Sequence, residues 1–198
     1  MTDSHTLIQF NNSKDLGNWY DQKYTEMGGG WKIPQEEAIR LMAWADMTPD
    51  KEKTLLDIGC GDGDFLKHIH NYAKCTGIDL SSVGIEFATR MGIDAIFEVN
   101  NIENTGYAPR SFDYLTSIGS IEHVIDLDIA LKECFRLLKR DGKFLCMVPN
   151  ELWKYLDQPQ EQTHTDQEWK IFFINAGFII KKVNRRSDLT DFLLTKII

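Results

Sequence analysis

Cysteine is scarce in this sequence of 198 residues, and no two of its four cysteines form a Cys-x-x-Cys pair. That spacing excludes the common zinc and dithiol redox motifs. Three of the cysteines lie in apolar or helical runs, where we expect buried thiols: Cys75, Cys134 and Cys146. The fourth, Cys60, stands between two glycines, where we expect it to line a ligand site.

Long apolar runs and a surplus of basic charge are also missing. No run approaches the roughly 20 apolar residues of a membrane-spanning helix, and the polar first residues do not resemble a signal peptide. The 22 lysines and arginines are outnumbered by 30 acidic residues, for a formal net charge of −8. Such a balance disfavours a nucleic-acid backbone as partner. We therefore expect a cytoplasmic protein, a monomer or homodimer, with no membrane or nucleic-acid partner.

The most informative stretch of the chain runs from Leu55 to Leu66. A short apolar run leads into three glycines at every second position (Gly59, Gly61 and Gly63), and a helical pattern begins at Asp64. This order predicts a strand, a tight turn and a helix start. Glycine lets a ligand lie against bare backbone, and the N–H groups of the first helical turn face that ligand.

The acids within this turn indicate the charge of the ligand. A dinucleotide-binding fingerprint would read Gly-x-Gly-x-x-Gly, whereas Asp64 occupies its third glycine position. Together with Asp57 and Asp62, this residue would repel a pyrophosphate. Three carboxylates suit a ligand with cationic groups, such as an amine or a sulfonium.

A second strand, residues 75–79, ends in the acid Asp79. Its position, roughly 20 residues past the first glycine, is that of a carboxylate that accepts hydrogen bonds from both ribose hydroxyls. These two segments resemble motif I and the following acidic motif of the class I S-adenosylmethionine-dependent methyltransferases. The resemblance covers roughly residues 52 to 198 and implies methyl transfer from S-adenosylmethionine (SAM), which leaves S-adenosylhomocysteine as product.

The implied fold is an α/β, Rossmann-like sheet of seven strands, mostly parallel, with helices on both faces and the last strand antiparallel. The alternation of patterns agrees with parallel pairing and right-handed crossovers. The length favours one domain, 1–198, with an N-terminal arm (1–34) and a catalytic core (35–198). We predict helices at 34–47, 64–73, 82–91, 126–139 and 166–175, and strands at 54–58, 75–79, 94–99, 111–118, 143–148, 177–184 and 190–197.

The arm is unusually rich in aromatic residues. We expect residues 1–18 to be mobile or lid-like, and Trp19, Tyr20, Tyr24 and Trp31 surround the glycine triplet 28–30. The aromatics could pack the arm permanently onto the domain, or could close over the cofactor with the glycines as hinge. The second arrangement resembles the aromatic arm of many small-molecule methyltransferases.

The resemblance also implies which residues bind the donor. Asn101-Ile102 stands where family members carry an acid and an apolar residue beside the adenine, although an Asn-rich turn explains the same residues. The segment from Ser111 to Val124 resembles the fourth-strand motif of the family. The implied cofactor-binding set is Asp57, Gly59, Cys60, Gly61, Asp79, Leu80, Asn101, Ile102, Ser117, Ile118, Tyr20 and Trp31.

His123 has two possible roles. A histidine with its usual pKa near 6.5 can take a proton from an acceptor as catalytic base, or it can brace the loop by hydrogen bonding to backbone. One related branch, the quinone-biosynthesis O-methyltransferases, binds a metal with an extra glutamate four residues before this histidine. Here that position is Gly119, so we predict no metal.

The acceptor is expected to be a small molecule that is methylated on oxygen or nitrogen. The Asn/Asp-Pro-Pro-Tyr signature of amino-group methylation on bases and glutamine amides is missing. The irregular stretch 151–165 follows a central strand and belongs over the pocket. Its aromatics form a hydrophobic plug or hold substrate, and the predicted acceptor-binding residues are Tyr24, Glu122, Trp153, Tyr155 and His164. A protein methyltransferase and a non-catalytic SAM-binding protein remain alternatives.

Overall fold

The computed structural model describes residues 8–155 and 157–196. Its helices are α1 (Ser13–Met27), α2 (Gln35–Trp44), α3 (Asp64–Ile69), α4 (Ser82–Arg90), α5 (Leu127–Leu137) and α6 (Asp166–Asn175). Its strands are β1 (Thr54–Ile58), β2 (Lys74–Asp79), β3 (Ala95–Val99), β4 (Phe112–Ile118), β5 (Leu138–Pro149), β6 (Ile179–Arg185) and β7 (Leu189–Thr195). A short 3-10 turn, Ile121–His123, follows β4.

The strands form one seven-stranded sheet in the order β3-β2-β1-β4-β5-β7-β6. β1 pairs in parallel with β2 and β4, and β7 pairs antiparallel with both β5 and β6. The predicted sheet, mostly parallel with its last strand antiparallel, is therefore confirmed. Since the chain order reverses beside β1, the carboxyl ends of β1, β2 and β4 meet at one switch point, where such sheets bind ligands.

Two apolar layers cover the two faces of the sheet. One packs α5 and α6 against the strands through buried residues such as Leu131, Trp169 and Phe173. The other packs α2 and α3 through residues such as Leu41 and Leu66. Because both faces are covered, β1 is buried along almost its whole length rather than at alternate residues.

Several predicted boundaries are corrected. The arm is helical from Ser13, with Asn12 capping α1 through its side chain, so residues 13–18 are ordered rather than mobile; residues 1–7 lie outside the described residues. Helix α3 ends at Ile69 rather than 73, because the chain must already turn to begin β2 at Lys74. Strand β5 begins directly after α5, where Leu138 pairs with Phe112.

Among the described residues, every helix is too short or too polar to cross a membrane.

Candidate functional site

A cavity of about 440 Å³ lies at the carboxyl edge of the sheet, beside the ends of β1, β2 and β4. The glycine turn after β1 forms its floor, α1 and the segment after it form one wall, and the loops after β4 and β5 form another. This volume falls in the range of small-molecule sites, about 300–1,000 Å³.

The glycine turn brings bare backbone to the cavity. Gly59 and Gly61 both have positive φ, 67° and 54°, a region in which side chains are strained. A Cβ at Gly59 would overlap the Ser120 side chain, and one at Gly61 would overlap the Tyr24 hydroxyl. Glycine is therefore required at both positions by backbone conformation and by close packing.

Asp79 lies at the end of β2 and faces both the cavity and the glycine turn. Its carboxylate oxygens accept hydrogen bonds from the backbone N–H groups of Gly61 and Ser81, each at 2.8 Å. Burial raises the pKa of Asp79 to about 6, against these two bonds that lower it. The carboxylate is consequently ionised at neutral pH and keeps lone pairs for hydroxyl donors.

Asp62 and Asp64, the other acids of the turn, bind residues of the arm rather than facing a ligand together with Asp57. Asp62 accepts hydrogen bonds from Gly30 N–H, at 2.7 Å, and from the Lys32 ammonium, and Asp64 accepts one from Ile33 N–H at 2.8 Å. Both carboxylates therefore anchor the end of the arm. The inference that three free carboxylates select a cationic ligand is corrected accordingly.

Asp57 is 2% exposed and accepts a hydrogen bond from the Thr116 hydroxyl at 2.7 Å. This contact joins the neighbouring strands β1 and β4 under the cavity. Burial raises the pKa of Asp57 to about 7, outweighing the hydrogen bond from Thr116.

The arm lines the cavity beside the glycine turn. Asp21 accepts hydrogen bonds from the Ser81 hydroxyl, at 2.6 Å, and from Val83 N–H, at 3.0 Å, which fixes α1 to the start of α4. The rings of Tyr20 and Tyr24 lie edge-on to Trp31, with centroids 6.2 and 5.8 Å away.

The stretch after β3 contains the turn predicted at Asn101. Its Oδ1 accepts a hydrogen bond from Glu103 N–H at 2.9 Å, which is a turn of the Asx type. Asn101 and the buried Ile102 also line the cavity, as do Cys60, Leu80 and Ile118.

On the opposite side of the cavity, His123 is held by the loop after β5. Its Nδ1 lies 2.9 Å from the Pro159 carbonyl oxygen. A carbonyl only accepts, so Nδ1 carries the proton and Nε2 is the free basic nitrogen. Burial lowers the pKa of His123 to about 4, so the imidazole is neutral at pH 7.

Three of the predicted residues lie away from this cavity. Ser117 is fully buried and its hydroxyl accepts a hydrogen bond from Ile121 N–H at 3.1 Å. Tyr155 is 65% exposed. The ring of His164 packs against Trp169 and Phe172, with centroids 5.0 and 4.9 Å away, because it precedes Thr165, the N-cap of α6.

The cavity also contains residues that sequence reasoning missed. Glu161 is 5% exposed and comes from the loop that also carries Trp153. Glu37 and Arg186 form an ion pair of 2.7 Å on the cavity wall. The position of the loop over the pocket was the one sequence signal for Glu161; nothing local in the sequence distinguishes Glu37 or Arg186.

Residues 32–192 match a family model described as "Methyltransferase domain". The ubiquinone/menaquinone biosynthesis C-methyltransferase UbiE of Rickettsia typhi is 34% identical over 112 residues, which cover 50% of this chain and 45% of that protein. The chain spans about half the length of the curated relatives it matches.

Solved structures share the fold. The [4+2]-cyclase SpnF has a TM-score of 0.78 at 17% identity, and the match covers 98% of this chain and 100% of that one. The YcgJ protein of Bacillus subtilis has a TM-score of 0.67 at 18% identity, covering 81% of this chain and 99% of that one. Identities this low show a common fold alone.

Proposed function

This chain belongs to the methyltransferase domain family, whose methyl donor is S-adenosylmethionine, and we propose that it transfers a methyl group from SAM to a small-molecule acceptor. The observation that carries the proposal is a cavity that joins the glycine turn and Asp79 on one side to a wall carrying Glu122, His123 and Glu161 on the other. The first side suits a nucleoside, and the second leaves room for an acceptor.

The residues of the first side fit the donor. Asp79 would bind the ribose hydroxyls, and the backbone at Gly59 and Gly61 allows the close approach that a Cβ would prevent. Asn101 and Ile102 would bind the adenine. The faces of Tyr20 and Trp31 suit a cationic sulfonium.

When bound, SAM supplies a methyl group that its sulfonium already activates for in-line displacement. The residues of the chain therefore have to align the acceptor and exclude water. Tyr24, Glu122 and Trp153 would bind the acceptor, together with Glu161, which we add to the set predicted from sequence. Because its Nδ1–H donates to the Pro159 carbonyl and burial lowers its pKa to about 4, which makes Nε2 a weak base, we propose that His123 mainly positions the loop after β5.

The arm is proposed to act as a cover for this cavity. Tyr20, Tyr24 and Trp31 line the cavity from outside the sheet, and Gly28 and Gly29 both have positive φ, 66° and 150°. The Asp62 and Lys32 contact would hold the closed position. Closure would remove water from the path of the methyl group.

Turnover separates the possible acceptor classes. We would incubate the protein with SAM and a panel of phenols, amines and electron-rich aromatic carbons, the last because the UbiE relative is named as a C-methyltransferase. Production of S-adenosylhomocysteine and a methylated compound in one class is expected, and a Gly59→Val variant should abolish both.

Two outcomes would contradict this proposal. Methyl label that elutes only with macromolecules on size exclusion would indicate a protein methyltransferase. Tight donor binding with no product from the panel or from a metabolite extract would indicate a non-catalytic SAM-binding protein.

A further inference from the structure

Three potential metal ligands converge on the acceptor side of the cavity: Glu122, His123 and Glu161. The first two lie in the 3-10 turn after β4, and the third comes from the loop after β5. One ligand atom from each lies within 4.8 Å of the others, and all three residues are buried. All three also line the cavity.

The two carboxylates have buried oxygens without partners. Oε2 of Glu122 and Oε2 of Glu161 make no hydrogen bond, although the two residues are only 2% and 5% exposed. Among residues 8–155 and 157–196, His123 is the one basic side chain within ion-pair distance of either acid. Its Nε2 lies 3.8 Å from Glu161 Oε2. Buried polar groups are almost always satisfied, so two such oxygens at the wall of one cavity call for a partner, which a bound cation would supply.

The histidine is oriented as a ligand. Its Nδ1–H donates to the Pro159 carbonyl oxygen at 2.9 Å, which directs the Nε2 lone pair toward Glu161. Metal-binding histidines are usually held in this way, with the second ring nitrogen donating to a carbonyl or carboxylate.

We propose that Glu122, His123 and Glu161 bind a divalent transition-metal cation, of the class of Mn²⁺ or Zn²⁺. Donors bound about 2.1 Å from such a metal lie about 3.4 Å apart in a tetrahedral site and can be at most about 4.2 Å apart. The 3.8 Å between His123 and Glu161 already falls in this range. One imidazole among two carboxylates favours these metals over Mg²⁺ and Ca²⁺, which prefer oxygen ligands alone.

The proposal differs from the prediction of no metal, which depended on Gly119 before the histidine. The third ligand comes instead from a loop remote in sequence. A cation here would join that loop to the end of β4 and leave open coordination positions toward the cavity. If the proposed methyl transfer is correct, an oxygen of the acceptor would take one of those positions.

The test is a binding titration that needs no acceptor. Protein freed of metal with EDTA and desalted is titrated with Mn²⁺, with free Mn²⁺ followed by electron paramagnetic resonance. We expect one Mn²⁺ per chain, displaced by Zn²⁺ and only weakly by Mg²⁺. Glu161→Gln should weaken binding at least tenfold, and Glu122→Gln should do the same.

Glu103→Gln is the matched control. Glu103 lines the same cavity, but its Oε1 accepts hydrogen bonds from Ile125 and Asp126 N–H, at 2.8 and 3.0 Å, outside the cluster. Its replacement should leave Mn²⁺ affinity unchanged. Thermal unfolding gives a second readout, because a ligand that binds only the folded state raises the melting temperature; Mn²⁺ should raise it in the parent protein and not in Glu161→Gln.

No saturable Mn²⁺ or Zn²⁺ binding, or equal binding in the parent and Glu161→Gln, would overturn the proposal. Calorimetry with S-adenosylhomocysteine in EDTA keeps this result separate from the proposed function. An empty metal site with intact donor binding refutes the metal alone, whereas lost donor binding refutes the methyltransferase proposal.

Discussion

Replacement of Asp79 by alanine is the perturbation that probes the donor side of the cavity most directly. The variant removes the carboxylate that we propose accepts both ribose hydroxyls. Each hydrogen bond to a charged group contributes about 1.5–3 kcal/mol, so the loss of two should cost about 3–6 kcal/mol. At about 1.4 kcal/mol per tenfold, affinity for SAM should fall by more than about 100-fold.

The pH dependence of binding provides a sharper signature of the same residue. Because the pKa of Asp79 is about 6, lowering the pH through 6 protonates the carboxylate and removes its capacity to accept two hydroxyl donors. Affinity of the parent protein should be constant above about pH 7 and fall by up to about tenfold per pH unit below 6. Asp79→Ala should lack this decline.

Asp113→Ala is the matched control, measured by the same calorimetry with S-adenosylhomocysteine. Asp113 also accepts from a backbone N–H, that of Thr54 at 2.9 Å, but at the opposite edge of the sheet. Its loss should lower the melting temperature without changing affinity. Unchanged affinity in a folded Asp79→Ala protein, or an equal loss in both variants, would refute the proposed role of Asp79.

Three further predictions concern the floor and the cover of the cavity. The pKa of Asp57, about 7, exceeds the usual value of about 3.9, so the folded state holds this proton more tightly and the free energy of unfolding falls as pH rises from about 4 to 7. Asp57→Asn should therefore gain stability over the parent between pH 5 and pH 8, by up to roughly 4 kcal/mol. A difference in melting temperature between the two proteins that does not change with pH would contradict this. Asp21→Ala should release α1 from α4 and cost about 1–3 kcal/mol, seen as faster hydrogen exchange in α1 with little change in the sheet; uniform exchange throughout the chain would argue against a separate cover. Deletion of the residues before Lys32 should leave a folded protein with turnover lost and SAM binding weakened; collapse of the melting temperature would make the arm part of the core, and full activity would exclude both roles.

Local patterns predicted the glycine turn and the strand ends that line the cavity, for a physical reason. Positive φ at Gly59 and Gly61 limits the residues that can stand there, and the strand before them is buried on both faces. The residue types of this short segment therefore determine its backbone conformation. The position of Asp79 beside the glycine turn could be predicted because parallel strands end at the same edge of the sheet. These features depend on short segments and on a regular topology.

The acceptor side depends on contacts that no local pattern encodes. Glu161 reaches His123 only because an irregular loop folds back over β4. Asp62 contacts Lys32, which lies 30 positions earlier in the sequence, before α2. His164 was also predicted to bind the acceptor, but the adjacent capping box of Thr165 and Glu168 starts α6 and turns the ring into the core. A 3.6- or 2-residue period carries no information on such a loop.

The central claim is that SAM binds in this cavity with its reactive end toward Glu122 and His123, and a crystal structure with S-adenosylhomocysteine tests it most directly. The ribose hydroxyls should lie within hydrogen-bonding distance of the Asp79 carboxylate, the adenine beside Ile102, and the sulfur facing an enclosed space bounded by His123 and Trp153. S-adenosylhomocysteine bound elsewhere, or oriented with its sulfur away from His123, would contradict the claim.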